Sequence, residues 1–569
     1  MEQEQEVDLS AMQMAGTPPK KGHPFALWIL FGTEFWERFG YYLMVGIFFL
    51  FLVDPVAHGG KGFSTKMAAD LVGSFIALVY LAPFIGGMMA DRYLGYRKAI
   101  ILGSAMLAAG YYTLAVPGDN TMYLGLLLII IGNGFFKPNI STLLGNIYNR
   151  EDLKPKKDIA YNIFYMGINA GAFLCNFVAA YMRNHYNWGY AFAAAGVGMT
   201  VALIWFIAGM KHLKEGDIKR PLSKEDMPMS KILGYVFLPA IITATIGWFM
   251  NKMLGHTIFG TPSNDAFMFA CVPIIIFYIG IYRRAAKGPD KRGLGALFAF
   301  FIVSIVFWVI YNQNSTGLTI WADQYTARPI PHAMTGFCKT FGMIEPASTK
   351  PDSVTKIDEY FRPVLDANGK TQTVLGVNPY FQNLPKEQWP KDGKENLIST
   401  ELFQSINPFF IIFLTPIVLG LFVWLKKRKR EPNTPVKIGM GMVIAGLSSL
   451  LMMFAVYSTN IYHNKAEVIW IISTYALFTL GELLISPIGL SMVSKLSPPR
   501  ITALMMGCWF LVNAIAGKVA GLMATFWDSF TDKSMYFLIL VIAAGISGVI
   551  MFILSKWIAT VVREKTGAN

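Results

Sequence analysis

The run Glu34-Phe35-Trp36-Glu37-Arg38-Phe39-Gly40-Tyr41-Tyr42 sets three ionisable groups and two phenols inside an otherwise apolar stretch. At roughly 100° per residue, Glu34, Glu37, Arg38, Tyr41 and Tyr42 fall within an arc of about 140°, so a helix would carry them on one face. A charge at the centre of a bilayer segment costs about 3 kcal/mol on insertion scales, which makes each one a functional candidate. The same criterion selects Lys137 in Gly132-Asn133-Gly134-Phe135-Phe136-Lys137-Pro138-Asn139, Asp323 near the end of a later segment, and Glu482 in Gly481-Glu482-Leu483-Leu484-Ile485-Ser486-Pro487. The acids Glu34, Glu37, Asp323 and Glu482 thus outnumber the bases Arg38 and Lys137. A carboxylate in low dielectric without a cationic partner tends to take up a proton, so at least one acid is expected to be a proton carrier.

Competing structural readings exist. Glu34 and Arg38, spaced i to i+4, can form a buried ion pair with no further role. Lys137 and Glu482 have no opposite charge nearby in sequence and must find partners across a bundle. Tyr165 and Asn169 lie one turn apart and can bind a ligand or simply join helices by hydrogen bonds. All seven histidines fall in expected loops or helix ends, so a histidine relay is not expected. The chain lacks a phosphate-binding loop, paired metal ligands and a nucleophile elbow; ATP hydrolysis, a metal site and enzymatic covalent catalysis have no support.

The elements that must position these residues are membrane helices. The 569-residue chain is 54% hydrophobic and 15% charged, with a mean hydropathy of +0.44. Apolar runs of about 20 residues recur along it, as in an all-α polytopic membrane protein. Segments are expected near 25–53, 68–90, 98–116, 122–147, 158–183 and 188–210, then near 232–250 and 265–282, then near 294–325, 406–425, 437–458, 467–494, 500–527 and 534–557. This six, two, six order predicts two six-helix bundles (25–210 and 294–557) separated by basic loops and an additional helix pair (211–293). The substrate site is then expected between the bundles.

The net charge of +14 sits in short loops such as 154–157, 283–292 and 426–430, which argues for topology and lipid headgroup contact, not nucleic acid. Counted by side, roughly thirty Lys and Arg fall on one side against about six on the other, so both tails (1–24 and 558–569) are expected in the cytoplasm. No cleaved signal peptide is evident. A hydrophilic insert, 327–404, falls on the outer side as a small folded cap or a long ordered loop. Of four cysteines, Cys338 alone is in a hydrophilic stretch, so no disulfide framework is expected.

The Glu-X-X-Glu-Arg-Phe-X-Tyr-Tyr run, the loop Asp91 to Lys98 (which resembles the motif of the major facilitator superfamily), Phe164 to Phe173 and Gly481 to Pro487 together resemble the proton-dependent oligopeptide transporters of bacterial type. That resemblance implies a major facilitator fold and proton-coupled import of dipeptides and tripeptides by alternating access. It implies no cofactor beyond the proton gradient, a monomer, and a place in the cell inner membrane. By position, Arg38 and Lys137 match the pole for a peptide carboxylate, and Glu482, Asn169 and Asn407 the pole for its ammonium. Tyr42, Tyr80, Tyr165, Trp308, Trp509, Ser486 and Asn312 match positions at the site, and Glu34 and Glu37 match acids of proton coupling. Val45 stands where members often carry Arg, and Asn312 where many carry an acid. Lys137 is therefore expected to pair with a glutamate of the first segment or with Asp323. Alternatives are a carrier of nitrate or another small solute on the same fold, and a membrane receptor using the outer insert.

Overall fold

The computed structural model describes residues 22–218, 228–285, 288–367, 369–382, 384–498 and 502–566. The N-terminal tail up to residue 21, part of the basic loop (219–227) and the last three residues lie outside the described residues. Fourteen helices among the described residues are long and apolar enough to cross a membrane.

Six form the first bundle: α1 (Phe25–Val53), α2 (Thr65–Met89), α3 (Tyr96–Ala115), α4 (Asp119–Ile147), α5 (Lys157–His185) and α6 (Trp188–Gly209). An additional pair follows, α7 (Leu238–Leu254) and α8 (Pro262–Arg284). The second bundle holds α9 (Pro289–Asn312), α10 (Ile406–Lys427), α11 (Thr434–Ser458), α12 (Val468–Leu496), α13 (Thr502–Thr525) and α14 (Lys533–Thr566). The start of α1 and the end of α14 therefore lie at one end of the molecule, and the 327–404 insert at the other.

Local chemistry sets the helix starts. Ser64, Asn187, Thr261 and Asn433 each accept a hydrogen bond from the backbone N–H three residues on, which satisfies a donor the helix leaves free. Pro262, Pro289 and Pro435 occupy first turns, where a missing N–H costs nothing. After α2 the chain passes through a π-helical turn, Ala90–Leu94, and reverses at Gly95, whose φ of 82° favours glycine. In this loop Arg97 is bound by Asp217 at 2.8 Å.

Two elements depart from the hydropathy reading. The segment expected at 294–325 breaks after Asn312 into a 3-10 turn, Gln313–Ser315, and a short helix, Gly317–Gln324. The polar run causes this: Asn312 donates to the Trp308 carbonyl at 2.7 Å and Thr316 to the Asn312 carbonyl at 3.3 Å, competing with the helix ladder. The last helix continues to Thr566, beyond the expected 557, because Arg563 and Lys565 suit a helix C-terminus and its end is tied to the start of α9. Glu564 meets Arg292 at 3.1 Å, and Lys565 pairs with Asp290.

The bundles meet along α2 and α13, where a Cβ on Gly73 would fall 2.8 Å from the Gly521 Cα. They also meet along α5 and α10, where Phe173 packs against Phe409. The insert is a folded cap with two antiparallel ribbons: β1 (Ile344–Ser348) with β4 (Lys394–Ile398), and β2 (Asp352–Thr355) with β3 (Thr373–Gly376). Its own core is Ala347, Tyr380, Phe381 and Leu397. All four cysteines are free and buried, Cys338 included.

Candidate functional site

The polar face of α1 is turned inward. Glu37 is fully buried, and Glu34 and Arg38 nearly so. Arg38 is held by Glu37 through both guanidinium edges, with Nη2 to Oε1 at 2.7 Å and Nε against Oε2, and its Nε also lies 3.3 Å from Glu34 Oε1. The guanidinium sits 5.1 Å above the Tyr41 ring. One Glu34 oxygen, Oε2, is buried without a hydrogen-bond partner. The i to i+4 pair expected from spacing is thus present, but the bidentate partner of Arg38 is its neighbour Glu37.

Lys137 comes to this cluster from α4. Gly86 lies so close to the Gly134 carbonyl that a Cβ would reach it at 2.1 Å, which lets α2 and α4 press together. Lys137 Nζ then stands 4.1 Å over the Tyr80 ring of α2, within the field of Glu34, Glu37 and Arg38. The expected ion pair of Lys137 with a glutamate of α1 or with Asp323 does not form. A cation over an aromatic face replaces it.

Beside this cluster is a cavity of about 160 Å³ between the bundles. Tyr42, Tyr80, Tyr165 and Asn169 line it from the first bundle, and Trp308, Asn407, Glu482 and Ser486 from the second. Glu482 accepts from Asn407 Nδ2 at 2.9 Å, and the same amide reaches Thr479 Oγ1 at 2.9 Å. Asn169 gives its Nδ2 to the Tyr165 carbonyl at 2.9 Å, leaving its own carbonyl oxygen for another donor. Trp308 Nε1 and Ser486 Oγ are buried polar atoms without a partner. Arg38 and Lys137 are not wall residues: Glu37 and Tyr80 engage them just behind the wall.

Three expected site residues stand elsewhere. Asp323 is a correction: the helix break at Asn312 carries it to the insert end, where it accepts from Thr400 Oγ1 at 2.9 Å and meets Arg328 at 3.5 Å. Asn312 spends its amide on its own helix and does not line the cavity. Trp509 forms a second layer, stacked on Phe300 at 5.6 Å and edge-on to Trp308 at 6.5 Å.

Other wall residues went unselected. Tyr311, Asn314, Asn176 and Gln404 also line the cavity. Helical phase could have found two of them: Asn176 is i+7 from Asn169, and Tyr311 is i+3 from Trp308. Asn314 and Gln404 sit in 3-10 turns, where helical phase fails.

A buried lysine and its partly exposed acid were also passed over, although the insertion-cost criterion applies to both. Lys518 of α13 is 3% exposed and binds Asp70 Oδ1 of α2 at 2.5 Å, Ser74 Oγ at 2.7 Å and Ser263 Oγ of α8 at 2.9 Å. This cluster ties both bundles and the additional pair together. Lys518→Met should cost about 3–5 kcal/mol by leaving Asp70 unpaired, and adding Asp70→Asn should restore most of it. Thermal unfolding in detergent checks this; equal losses in single and double variants would deny the pair any energetic role.

The POT family model, PTR2, matches residues 97–341 and 393–540. The uncharacterized transporter YclF of Bacillus subtilis (strain 168) is 31% identical, covering 94% of each chain. A di-/tripeptide transporter of Lactococcus lactis subsp. lactis (strain IL1403) is 29% identical over 94% of this chain and 96% of its own. A crystal structure of the peptide transporter POT in complex with sulfate superposes with a TM-score of 0.73 at 28% identity, covering 98% of this chain and 99% of that one.

Proposed function

The chain belongs to the POT family, transporters and not enzymes, and on that premise we propose that it is a proton-coupled symporter importing dipeptides and tripeptides by alternating access. The observation that carries this reading is the polarity of the cavity. Glu482, held by Asn407, supplies an anionic pole, and Arg38 with Lys137 stands behind Tyr42 and Tyr80 as a cationic pole. A zwitterion with separated ends fits such a site, and the aromatic and aliphatic wall tolerates varied side chains. A nitrate carrier would have no use for Glu482 in the wall, since a carboxylate repels the anion.

Within the cationic pole, Arg38 is held by protein carboxylates in this structure. Protonation of Glu37 or Glu34 weakens the hold on Arg38 and frees it for the peptide carboxylate, so proton and peptide binding reinforce one another. Asp323, away from this cluster, has no part in that exchange. The energy source is the proton gradient, and no cofactor is called for. The protein works as a monomer in the inner membrane, its basic loops and both termini on the cytoplasmic side against anionic headgroups.

In proteoliposomes, an acidic exterior should drive uphill dipeptide uptake that a protonophore abolishes. Uptake indifferent to the protonophore would overturn the proton coupling, and competition by nitrate but not dialanine would overturn the substrate.

A further inference from the structure

The family model leaves 342–392 unmatched, and most of the insert falls there. The insert touches both bundles, in chemically different ways. Its ends are continuous with the second bundle, and Phe361 stacks on Tyr462 of the α11–α12 loop at 5.8 Å and 10°. Backbone bonds Ala327 N to Ala466 O at 2.8 Å and Ala466 N to Tyr325 O at 2.7 Å extend that attachment.

Its links to the first bundle are mainly polar, beside a packing contact of Gly342 on the Tyr181 side chain. Arg183, near the end of α5, bridges Glu345 of β1 at 3.0 Å and Glu401 at 3.1 Å. Asn184 donates to the Ile344 carbonyl at 3.0 Å and to Ser399 Oγ at 2.7 Å. Thr371 donates through both its N–H and its hydroxyl to the Gly62 carbonyl of the α1–α2 loop, and His58 of that loop sits between Asp54 at 3.5 Å and Asp352 of β2 at 3.3 Å. Arg183 and Glu345 are partly exposed while Glu401 and Ser399 are buried, and what must part here is a few directional contacts, whereas the second-bundle side keeps chain continuity and packed aromatic surface.

We propose that the insert is a strap carried by the second bundle and clipped onto the first through Arg183, Asn184 and the Gly62 turn, and that the clip opens each time the cavity opens at the insert end. The proposal rests on the alternating-access reading. A strap that adds bonds only in the closed arrangement biases the bundles toward it, because a contact shifts an equilibrium by its differential strength in the two states.

The Glu345 arm of the clip is built to survive acid. Burial pushes the Glu345 carboxyl up, but Arg328 and Arg183 outweigh burial, with Glu401 and Asp323 as the other charges nearby, and hold it down to about 2. Its contribution is present above the ordinary 4.5 and is lost only as pH falls through about 2. The Asp54 hydrogen bond, helped by Asp352, pushes His58 up to about 9 from 6.5, so its contribution is full below 6.5 and fades as pH rises through about 9.

The test is the double variant Asn184→Cys with Ser399→Cys; the native cysteines are all buried. Reduced protein should take up dipeptide, oxidised protein should lose uptake by about tenfold or more, and re-reduction should restore it. Full-rate uptake by cross-linked protein would overturn the strap, whereas a reduced protein that folds but takes up no dipeptide would instead count against the transport reading. As a second readout, spin labels at Tyr186→Cys and His463→Cys, both exposed, report the separation of the bundles at this end. Arg183→Gln should raise the long-distance population several-fold, and an unchanged distribution would also overturn the proposal.

Discussion

Glu482→Gln should lower dipeptide uptake by about 30-fold or more, the effect of losing about 2 kcal/mol or more from a desolvated charge contact. Glu482 is the one acid in the cavity wall among the described residues, and its hydrogen bonds come from the neutral Asn407 amide, so no protein cation competes with a ligand ammonium for it. Glutamine keeps the shape and the bond from Asn407 while removing the charge. The loss should depend on the ligand's own charge. Wild-type protein should prefer dialanine over N-acetyl-dialanine by a wide margin in competition, and the variant should bring the two close together. A margin that survives the substitution would show that Glu482 does not read the ammonium group.

Glu37→Gln should separate exchange from accumulation. The substitution imposes permanently what protonation does transiently, loosening the bidentate hold on Arg38. Counterflow of labelled dipeptide, which needs no net proton movement, should stay within about threefold of wild type, while acid-driven accumulation falls to an inside-to-outside ratio of about one. Glu34 can retain Arg38 in the fold through its 3.3 Å contact, so the variant should still be a folded protein. Equal loss of counterflow and accumulation would make Glu37 a structural anchor of α1.

How much of this was legible in the chain differs from residue to residue. Glu34, Glu37, Arg38, Lys137 and Glu482 stand out because each interrupts an apolar run, and all of them lie in or beside the cavity that the structure builds. Asp70 and Lys518 interrupt apolar runs just as plainly, and the insertion-cost criterion applied to them would have selected both. Asp323 misled in the other direction. A hydropathy window is blind to the side-chain bonds from Asn312 and Thr316 that end α9, so it carried the helix through to a residue that belongs to the rim.

The sequence by itself determined that the chain spans a membrane, how many times, and which few charges its interior must accommodate. Those properties depend on runs of about 20 residues and on the insertion cost of single side chains, both local quantities. Tertiary structure alone decided the pairing. Lys518 meets Asp70 across 448 residues of chain, and Asn407 meets Glu482 across 75. Arg38 turns to the adjacent Glu37, and Lys137 settles on an aromatic ring instead of a carboxylate. A buried charge takes the best partner within a few ångströms, and which groups come that close depends on how helices from separate parts of the chain pack.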